Sequence, residues 1–464
     1  MGSYTGPAAV YRSQAAWRHG APGSTTAPRG STCCPAGGTS PRRRTLRELP
    51  HGGRASVGTA FVDTAFVGTA SRDGNRRPAR KGRLSTGRSG IEPAHAARIV
   101  VAGGGTAGHI EPAMNLADAI RRLDPSSQIT ALGTTKGLDT TLIPQRGYPL
   151  ELIPPVPLPR RIGGDLFATP GKVRAAVAAA GAVLERVGAE VVVGFGGYVA
   201  VPAYLAARER KLPIIVHEAN AKPGLANRAA ARMTTHVFTA SAKARLPHAS
   251  VIGIPLRPAI SQLDRPALRA EARRRFDLDP DRPTLLVFGG SQGARSVNFA
   301  ASQAVDGLRA AGVQVLHIIG PKNVLDVPAV DGQAPYRVVA YVDEMQYAYA
   351  AADFALCRCG AMTCAELAAV GLPAAYVPYP VGNGEQRFNA EPIVAAGGGL
   401  LVDDADLTPQ WVLSNVVPRI TDTTRLAAMS LAAAHAGSRD ADVVLAQHVL
   451  TVVAEYRRFA GRQR

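Results

Sequence analysis

Three glycine-rich turns, each placed directly after a short apolar run, constrain the fold of this chain more than any other feature. The turns span residues 103–108, 194–198 and 289–294, and the runs before them span 98–102, 191–193 and 284–288. A buried strand that ends in glycines and opens into a helix directs backbone N–H groups and the positive end of the helix dipole at one point, which suits phosphate. Three such turns, divided between the two halves of the chain, predict two nucleotide-fold domains that face each other across a cleft.

The folded part alternates short β-branched runs with alanine-rich helical segments, beginning at Arg98. This alternation predicts an α/β fold with two Rossmann-like domains, each a doubly wound parallel sheet. It breaks at residues 256–283, which are rich in Pro, Arg and Asp and which we interpret as the linker. The expected domains are residues 97–256 and 257–440, followed by a C-terminal helix over 441–464 that packs back toward the first domain.

The N-terminal segment differs in composition from the rest of the chain. Residues 1–97 hold 15 Lys and Arg against 4 Asp and Glu, so they carry +11 of the net charge of +18. We expect residues 1–96 to be a disordered basic Gly/Ser/Arg-rich extension, because they cannot bury enough apolar surface to offset the entropy of the chain. A basic arm for anionic lipid or nucleic acid, or an over-extended gene start, are the alternatives. Since the excess charge lies here, we expect no nucleic-acid partner.

The remaining composition favours a cytoplasmic protein. The longest uncharged apolar stretch, residues 191–207, contains three glycines and Pro202, so it predicts strand, loop and helix instead of a membrane span. Residues 1–20 lack the apolar core of a secretory signal. Cys357, Cys359 and Cys364 have no neighbouring His and lack zinc-binding spacing, so we expect small buried or loop residues in a reducing compartment.

The first glycine turn matches the glycine spacing of the dinucleotide-binding fingerprint but lacks the acidic residue that belongs to it. Gly103, Gly105 and Gly108 have the required spacing, but the second strand, residues 128–132, is followed by no carboxylate that would hold a ribose. We therefore expect no redox cofactor.

Three Asp-x-Asp pairs resemble those of metal-using sugar transferases; they begin at Asp277, Asp404 and Asp440. Each lies at an expected turn or helix start, where aspartate is common for conformational reasons. We expect them to be turn and cap residues, and we expect no required metal.

Glu366 is the most specific single residue of the second half. It lies one turn inside an expected helix that follows the strand at residues 354–359. A carboxylate in that position can accept hydrogen bonds from two adjacent hydroxyls, such as a ribose diol. The alternative is an exposed first-turn glutamate that complements the helix dipole, an effect of about 0.3–1 kcal/mol.

Seven segments together resemble the MurG family of UDP-GlcNAc transferases. They are residues 103–112 (GGGTAGHIEP), 194–199 (GFGGYV), 217–220 (HEAN), 253–257 (GIPLR), 289–295 (GGSQGAR), 357–366 (CRCGAMTCAE) and 382–390 (GNGEQRFNA). The resemblance runs from about Arg98 to about Ala460. It implies the GT-B fold, with two Rossmann-like domains and a UDP-GlcNAc donor held mostly by the C-terminal one.

The resemblance also implies the donor-binding residues, which are Thr106, Ala107, Gly108, Asn220, Arg257, Ser291, Val342, Ala361, Met362, Thr363, Cys364, Ala365, Glu366, Gln386 and Asn389. Ser291 and the amides near Gly293 are expected at the diphosphate, with Arg257 as a fixed positive charge. Val342 is expected near uracil, and Glu366 at the ribose. Gln386 and Asn389 are expected at hydroxyls of the GlcNAc.

The reaction implied is direct displacement at the anomeric carbon of GlcNAc by the muramyl 4-hydroxyl of lipid I, with inversion from α to β. His109 is the leading candidate for the base, because it follows the first glycine turn and imidazole titrates near neutral pH. The alternatives are that it caps the helix or holds the acceptor pyrophosphate. His217, at a strand end beside Glu218, is expected to be structural.

A lipid acceptor requires membrane contact. The segment 154–172 joins a Pro-rich apolar loop to cations, and its expected contact residues are Arg160, Arg161, Leu166, Phe167 and Lys172. Such a loop suits the headgroup layer of an anionic membrane, so we expect a peripheral protein on the cytoplasmic face of the cell membrane. An ordinary surface loop is the alternative. The family resemblance also implies a possible cell-wall synthesis and division complex as partner.

Several residues depart from the usual family pattern: Ala107, Ala219, Ile254, Cys359 and Glu385. The Glu385 change leaves open which residue beside Gln386 contacts the sugar. Two other functions remain as alternatives, namely another GT-B enzyme such as a diacylglycerol glycosyltransferase, and a catalytically silent UDP-sugar sensor. Intact His109, Arg257 and Glu366 argue against the sensor.

Overall fold

Two parallel β-sheets, each covered by helices on both faces, form the core of the molecule. A computed structural model describes the backbone of residues 96–156, 165–381 and 384–462, without the side chains of residues 165–169. The expected extension over residues 1–96 lies outside this part except for Ala96. The two-sheet α/β architecture predicted from the sequence is confirmed.

The N-terminal lobe contains a seven-stranded sheet with strand order β3-β2-β1-β4-β5-β6-β7. Its elements are β1 (Arg98–Gly103), α1 (Ala107–Leu123), β2 (Gln128–Gly133), α2 (Asp139–Gln145), β3 (Leu150–Leu152), α3 (Asp165–Arg186), β4 (Val191–Gly196), α4 (Ala200–Glu209), β5 (Ile214–Glu218), α5 (Leu225–Ala230), β6 (His236–Thr239) and β7 (Ala249–Val251).

The C-terminal lobe contains a six-stranded sheet with strand order β10-β9-β8-β11-β12-β13. Its elements are α6 (Pro258–Ser261), α7 (Arg265–Arg275), β8 (Thr284–Phe288), α8 (Arg295–Gln303), α9 (Val305–Ala310), β9 (Gln314–Ile318), β10 (Tyr336–Val339), α10 (Met345–Ala351), β11 (Phe354–Arg358), α11 (Ala361–Ala369), β12 (Ala374–Val377), α12 (Glu385–Ala395), β13 (Gly399–Leu401), α13 (Pro409–Asn415), α14 (Val417–Ile420) and α15 (Thr423–His435). The last helix, α16 (Ala441–Gly461), returns to the N-terminal lobe, where Leu445, Val449 and Val453 join the core under β1 and β4.

Both strand orders reverse direction at a central pair of strands. In the first sheet the pair is β1 and β4, and in the second it is β8 and β11. Ligands of open parallel sheets bind outside the carboxyl ends of such a pair, because the connecting helices diverge to opposite faces there. The glycine turns at residues 103–108 and 194–198 end β1 and β4, whereas the turn at 289–294 ends β8. All three turns therefore lie at reversal points.

The central strands are buried on both faces because their side chains alternate between two apolar clusters. On β1, Ile99 and Val101 pack under α1, while Val100 and Ala102 pack against α3 and α4. Helices thus hold both faces of each sheet and leave the carboxyl edge of the strands for binding.

Three local expectations differ from the structure. The sequence pattern predicts helices at residues 111–123 and 172–187, but α1 begins at Ala107 and α3 at Asp165. Each observed helix continues through a proline near its start, Pro112 in α1 and Pro170 in α3. Residues 165–172, predicted to belong to a loop, are therefore helical. The fourth strand, predicted to end at Val193, continues to Gly196.

The predicted linker at residues 256–283 is mostly helical and packs against the C-terminal lobe. Helix α7 lies along α10, and the buried Arg265 donates hydrogen bonds to the carbonyls of Tyr349 (3.0 Å) and Gly371 (2.8 Å). The Pro-, Arg- and Asp-rich composition predicts a linker, but the guanidinium of Arg265 reaches into the lobe and binds backbone carbonyls there. The domain boundaries themselves stay a prediction.

Candidate active site

The first two glycine turns pack against each other at the carboxyl edge of the N-terminal sheet. Gly103 pairs with Gly196 after a register shift at which β4 carries one extra residue, Phe195. Gly197 has a positive φ of 78°, and a Cβ added there would lie 2.6 Å from the carbonyl oxygen of Gly104. Only glycine permits this approach, so the sequence signal of both turns has one structural cause.

Asp139, the first residue of α2, fixes the first glycine turn. It is fully buried and accepts hydrogen bonds from the amides of Gly105 (2.6 Å) and Thr134 (2.8 Å). A buried carboxylate needs such partners, and it thereby locks the backbone before α1. The sequence analysis missed this residue, because no local motif marks a carboxylate 34 positions away.

His109 lies in the first turn of α1, between the two glycine turns. Its Nδ1 is 3.2 Å from the Thr106 hydroxyl oxygen, and its ring borders Gly196 and Gly197. Burial lowers the pKa of His109 below its usual value of 6.5, while a hydrogen bond with the Gly104 backbone and the charge of Asp139 oppose the shift. The imidazole is therefore neutral at pH 7 and can accept a proton. Thr106, exposed, and Ala107 and Gly108 surround it.

A buried carboxylate also organises the loop after β5. Glu218 accepts hydrogen bonds from the amides of Asn220 (2.9 Å) and Gly224 (3.0 Å) and from the Asn227 side chain (3.0 Å). Burial raises the pKa of Glu218, and these hydrogen bonds act against that shift. The adjacent His217 is fully buried and contacts the Gly253 carbonyl at 2.8 Å.

In the C-terminal lobe, the turn at residues 289–294 borders a cavity of about 690 Å³. Gly290 and Gly293 have positive φ values of 85° and 75°, and Ser291 is exposed at the turn. Helix α8 begins immediately afterwards at Arg295, so its N-terminal amides border the cavity. The other walls include Arg358, Gly360, Thr363, Tyr379, Gln386 and Asp404. An anion-binding turn thus opens onto a cavity large enough for a small ligand.

Arg358 is the charged group in this cavity that the sequence analysis did not single out. It forms an ion pair with Asp404 and donates to the Ser296 hydroxyl at 2.9 Å. Asp404 was predicted to be a turn residue, but its carboxylate has this specific partner. The Arg358 Nε is buried and has no hydrogen-bond partner among the described residues.

Helix α11 carries Glu366 toward the N-terminal lobe. The Tyr349 hydroxyl donates to Glu366 Oε2 at 2.7 Å. Burial raises the pKa of Glu366; Arg257 and Tyr349 oppose the shift, and Glu111 of α1 adds to it. Helices α1 and α11 contact each other, so the helix that carries His109 and the helix that carries Glu366 meet between the two lobes.

Other residues predicted on or near α11 are half-buried: Ala361, Met362, Thr363 and Ala365, together with Val342, which packs against the core of the lobe. Cys364 is an exception, since it is 4% exposed and belongs to that core. Cys357 and Cys359 are buried as predicted.

Arg257 lies where the chain passes from the N-terminal sheet to α6. It is the N-cap residue of α6, and its Nε is buried without a hydrogen-bond partner among the described residues. A buried guanidinium nitrogen without a partner costs free energy, about 1–3 kcal/mol, unless a ligand supplies an acceptor. The position therefore suits an anionic group.

Asn220 and Asn389, both predicted to bind the donor, connect the two lobes. Asn389 Oδ1 accepts from the Ala221 amide at 2.9 Å, and Asn389 Nδ2 donates to Asn220 Oδ1 at 3.3 Å. Lys243 and Glu391 form an ion pair between the same lobes. Gln386 Oε1 accepts from the Tyr379 amide at 3.0 Å.

The residues predicted to contact a membrane lie partly on α3 and partly outside the described residues. Arg160 and Arg161 fall outside them. Leu166 and Phe167 lie in the first turn of α3 and Lys172 is exposed on the same helix, so the predicted loop is wrong from residue 165 onward. No helix of the described residues is long and apolar enough to cross a membrane.

The Asp-x-Asp residues have structural partners. Asp279 accepts from the amides of Asp281 (2.8 Å) and Arg282 (3.2 Å), as expected of a turn. Asp442 is not a cap but a buried partner of Arg122 at 2.5 Å. Within the described part of the chain, no group of three or more His, Cys, Asp or Glu side chains is arranged to hold a metal.

Two facing Rossmann-like lobes with phosphate-type turns at both reversal points define a glycosyltransferase of the GT-B class. Residues 99–239 match the glycosyltransferase family 28 N-terminal domain, and residues 284–445 match the glycosyltransferase family 28 C-terminal domain. The chain belongs to the MurG family within glycosyltransferase family 28.

Relatives and solved structures agree on this assignment. The chain is 56% identical over 357 residues to the UDP-N-acetylglucosamine–N-acetylmuramyl-(pentapeptide) pyrophosphoryl-undecaprenol N-acetylglucosamine transferase of Thermobifida fusca, which covers 76% of this chain and 94% of the relative. It is 59% identical over 349 residues to the protein of that name from Nocardia farcinica, covering 74% and 92%. The crystal structure of Acinetobacter baumannii MurG superposes with a TM-score of 0.62 at 26% identity, covering 78% and 99%. The calicheamicin glycosyltransferase CalG4, at 16% identity and a TM-score of 0.53, covers 77% and 98% and shares the fold.

Proposed function

We propose that this chain transfers GlcNAc from UDP-GlcNAc to the 4-hydroxyl of the muramyl sugar of lipid I, with inversion, and so makes lipid II for peptidoglycan synthesis. One arrangement carries the proposal. Helix α1, with His109 in its first turn, contacts α11, which carries Glu366, and Arg257 lies where the chain passes between the lobes, with a buried Nε that has no partner among the described residues. The names of relatives 56–59% identical support the same activity.

In this reaction the neutral imidazole of His109 accepts the proton of the muramyl 4-hydroxyl, while the oxygen of that hydroxyl attacks the anomeric carbon of GlcNAc. The bond between that carbon and the β-phosphate oxygen breaks, and UDP leaves with the electron pair. Because attack comes from the face opposite the leaving group, the α-linked donor gives a β-linked product.

The departing UDP gains negative charge, which the C-terminal lobe stabilises. The amides at Gly293 and Ala294, at the N-terminus of α8, and the guanidinium of Arg257 are positive groups fixed before the reaction begins. Glu366 holds the ribose hydroxyls, with Tyr349 fixing its carboxylate. These protein groups alone neutralise the diphosphate in this proposal, without a metal ion or another cofactor.

Asn220 and Asn389 exchange partners when the donor binds. Their mutual hydrogen bond is long, at 3.3 Å, so a sugar hydroxyl replaces it at little cost. Gln386 approaches the GlcNAc from the cavity wall beside the turn at residues 289–294.

The test is incubation of the purified protein with UDP-GlcNAc and a lipid I analogue, with and without EDTA, followed by mass analysis. We expect UDP and a β-linked disaccharide product in equal amounts under both conditions. Diacylglycerol serves as the control acceptor. Transfer to diacylglycerol instead of the lipid I analogue would contradict the proposed acceptor. Tight donor binding without any product would indicate a sensor. Loss of activity in EDTA would overturn the metal-free mechanism.

We further propose that the segment around the start of α3 contacts an anionic membrane on the cytoplasmic face, through Arg160, Arg161, Leu166, Phe167 and Lys172. A helix start preceded by cations and prolines suits the headgroup layer, where each cation contributes about 1 kcal/mol. At this membrane surface, a cell-wall synthesis and division complex is the proposed protein partner.

Neutralising Arg160, Arg161 and Lys172 together to glutamine should reduce cosedimentation with vesicles that contain anionic lipid, and salt should weaken binding of the unaltered protein. Lys322→Gln, an exposed lysine of the other lobe, is the control. Equal binding of the triple variant and the control would remove this surface from the proposal.

A further inference from the structure

The passage from the first sheet to α6, residues 252–257, is held by side chains at three of its backbone carbonyls. Ser438 donates to the carbonyl of Ile252 at 2.8 Å. His217 contacts that of Gly253, also at 2.8 Å, and Asn115 donates to that of Pro255 at 2.9 Å. Side chains from three separate parts of the chain thus hold this short irregular segment in place.

Of these three donors, Asn115 binds the carbonyl closest in sequence to Arg257, since Arg257 follows Pro255 by two residues. It lies on α1 and is 2% exposed. Its amide nitrogen bonds Pro255, and its amide oxygen accepts from Arg146 at 3.0 Å. With both ends occupied, the amide has one orientation, in which the nitrogen faces the segment that carries Arg257.

Arg146 is itself fixed by a cluster of polar groups. It bonds Glu111 (3.0 Å) and Asp118 (2.5 Å), and the Tyr148 hydroxyl donates to Asp118 at 2.7 Å. A chain of hydrogen bonds therefore runs from the end of α2 through α1 to the backbone beside Arg257. Fully satisfied networks of this kind hold their members in a single arrangement.

We propose that Asn115, oriented by Arg146, is a positioning residue that places Arg257 to receive the diphosphate of the donor. The inference rests on the proposed function of Arg257. The buried Nε of that side chain has no described hydrogen-bond partner, so the direction of the guanidinium depends on how the backbone is held. Asn115 holds the backbone at Pro255, and the amides of Ile260 and Ser261 hold the Arg257 carbonyl on the α6 side. A guanidinium misplaced by even 1 Å loses much of its interaction with a phosphate in a partly dry site.

The experiment compares binding of UDP and of uridine, which lacks phosphates, by calorimetry and by competition. The variants are Asn115→Ala, Arg146→Met, Arg257→Ala and the double variant Asn115→Ala with Arg257→Ala. Arg186→Met is the matched control, because Arg186 pairs with Glu151 at 2.6 Å in the same lobe without contact to the network.

We expect Asn115→Ala and Arg146→Met each to weaken UDP about tenfold while uridine binding stays unchanged, because only the phosphate contact is lost. In the Arg257→Ala background the Asn115 change should add nothing, since the residue acts through Arg257. The control should bind both ligands as the unaltered protein does.

The two proposals fail in different ways. If Arg257→Ala leaves UDP binding unchanged, the proposed role of Arg257 is wrong. If Arg257→Ala weakens UDP but neither Asn115→Ala nor Arg146→Met does, or if the Asn115 change weakens uridine equally or adds to Arg257→Ala, the positioning role is wrong. Arg146→Met keeps the test valid if Asn115→Ala fails to fold, because the Arg146 side chain is 24% exposed.

Discussion

At the residue scale, His109 combines two properties that a base at this position requires. Its ring borders both glycine turns, and burial keeps it neutral. A Cβ added at Gly196 or Gly197 would lie 3.3 or 3.4 Å from this ring, so glycine at these two positions leaves space for the histidine.

Replacing His109 with alanine should lower kcat by about 100- to 10,000-fold, the usual range for loss of a general base, and change the KM for UDP-GlcNAc only severalfold. In the unaltered protein, kcat should fall on acidification along a limb centred below pH 6.5, because the lowered pKa belongs to the group that must be neutral. His248→Ala, an exposed histidine of the same lobe, is the control. Near-normal turnover of His109→Ala would exclude the base.

Two other histidines make stability depend on pH. Burial lowers the pKa of His217 to about 4 and that of His317 to about 3. Below pH 6.5 the unfolded chain binds a proton at each site, whereas the folded protein does not until pH 4 or 3. The free energy of unfolding should therefore fall as the pH is lowered through this window, by up to about 1.4 kcal/mol per pH unit for each histidine.

His317→Gln tests this in the C-terminal lobe, where the ring contacts Tyr336 and Asn298. Urea unfolding at pH 7, 6 and 5 should give a shallower pH dependence than in the unaltered protein, by about one proton. An unchanged slope would show that His317 takes up its proton in the folded state.

Sequence reasoning singled out candidate residues that lie within motifs and did not single out the residues that support them. Thr106, His109 and Glu366 lie where a strand is followed by a helix, either just before the helix or in its first two turns, and this pattern is visible in the sequence. Asp139 and Tyr349 reach the site from other parts of the fold. Their contribution depends on distances that only the packed sheets define.

At the element scale, the strands were predictable because buried parallel strands are continuous apolar runs bounded by glycine. Helix α7 was not predictable in the same way. Its sequence, RPALRAEARRR, indicates a solvated segment, yet Arg273 is 1% exposed. A hydropathy scale treats every arginine as polar, and it cannot show that Asp353 pairs with Arg273 inside the folded lobe.

Arg273→Ala should destabilise the C-terminal lobe by about 3–5 kcal/mol, because it leaves Asp353, its partner at 2.8 Å, without one of its buried cations. Arg274→Ala, exposed on the same helix, should change stability by less than about 0.5 kcal/mol. Thermal or urea unfolding of both variants checks the difference. Equal stabilities would show that α7 is only loosely attached.

At the scale of the whole molecule, the family matches cover residues 99–239 and 284–445, and the relative from Thermobifida fusca is almost completely covered by about three quarters of this chain. The N-terminal segment is thus additional to the part that the relatives share. One contact marks where a truncation should stop: Arg457 of α16 donates to the carbonyl of Ala96 at 2.8 Å.

Deleting residues 1–94 should leave transfer activity within about twofold of the full chain, because the shared enzyme fold is retained along with Ala96. The assay is the lipid I analogue reaction, with circular dichroism to confirm folding. A folded but inactive truncated protein would show that the segment contributes to catalysis or acceptor binding.

Helix α16 has a consequence for how the protein is made. Ribosomes deliver the chain from its N-terminus, so β1 to β7 emerge long before Leu445, Val449 and Val453, which complete the core beneath β1 and β4. The N-terminal lobe therefore keeps an apolar face exposed until α16 has been synthesised. The C-terminal lobe does not depend on α16 in this way and can complete its core earlier during synthesis.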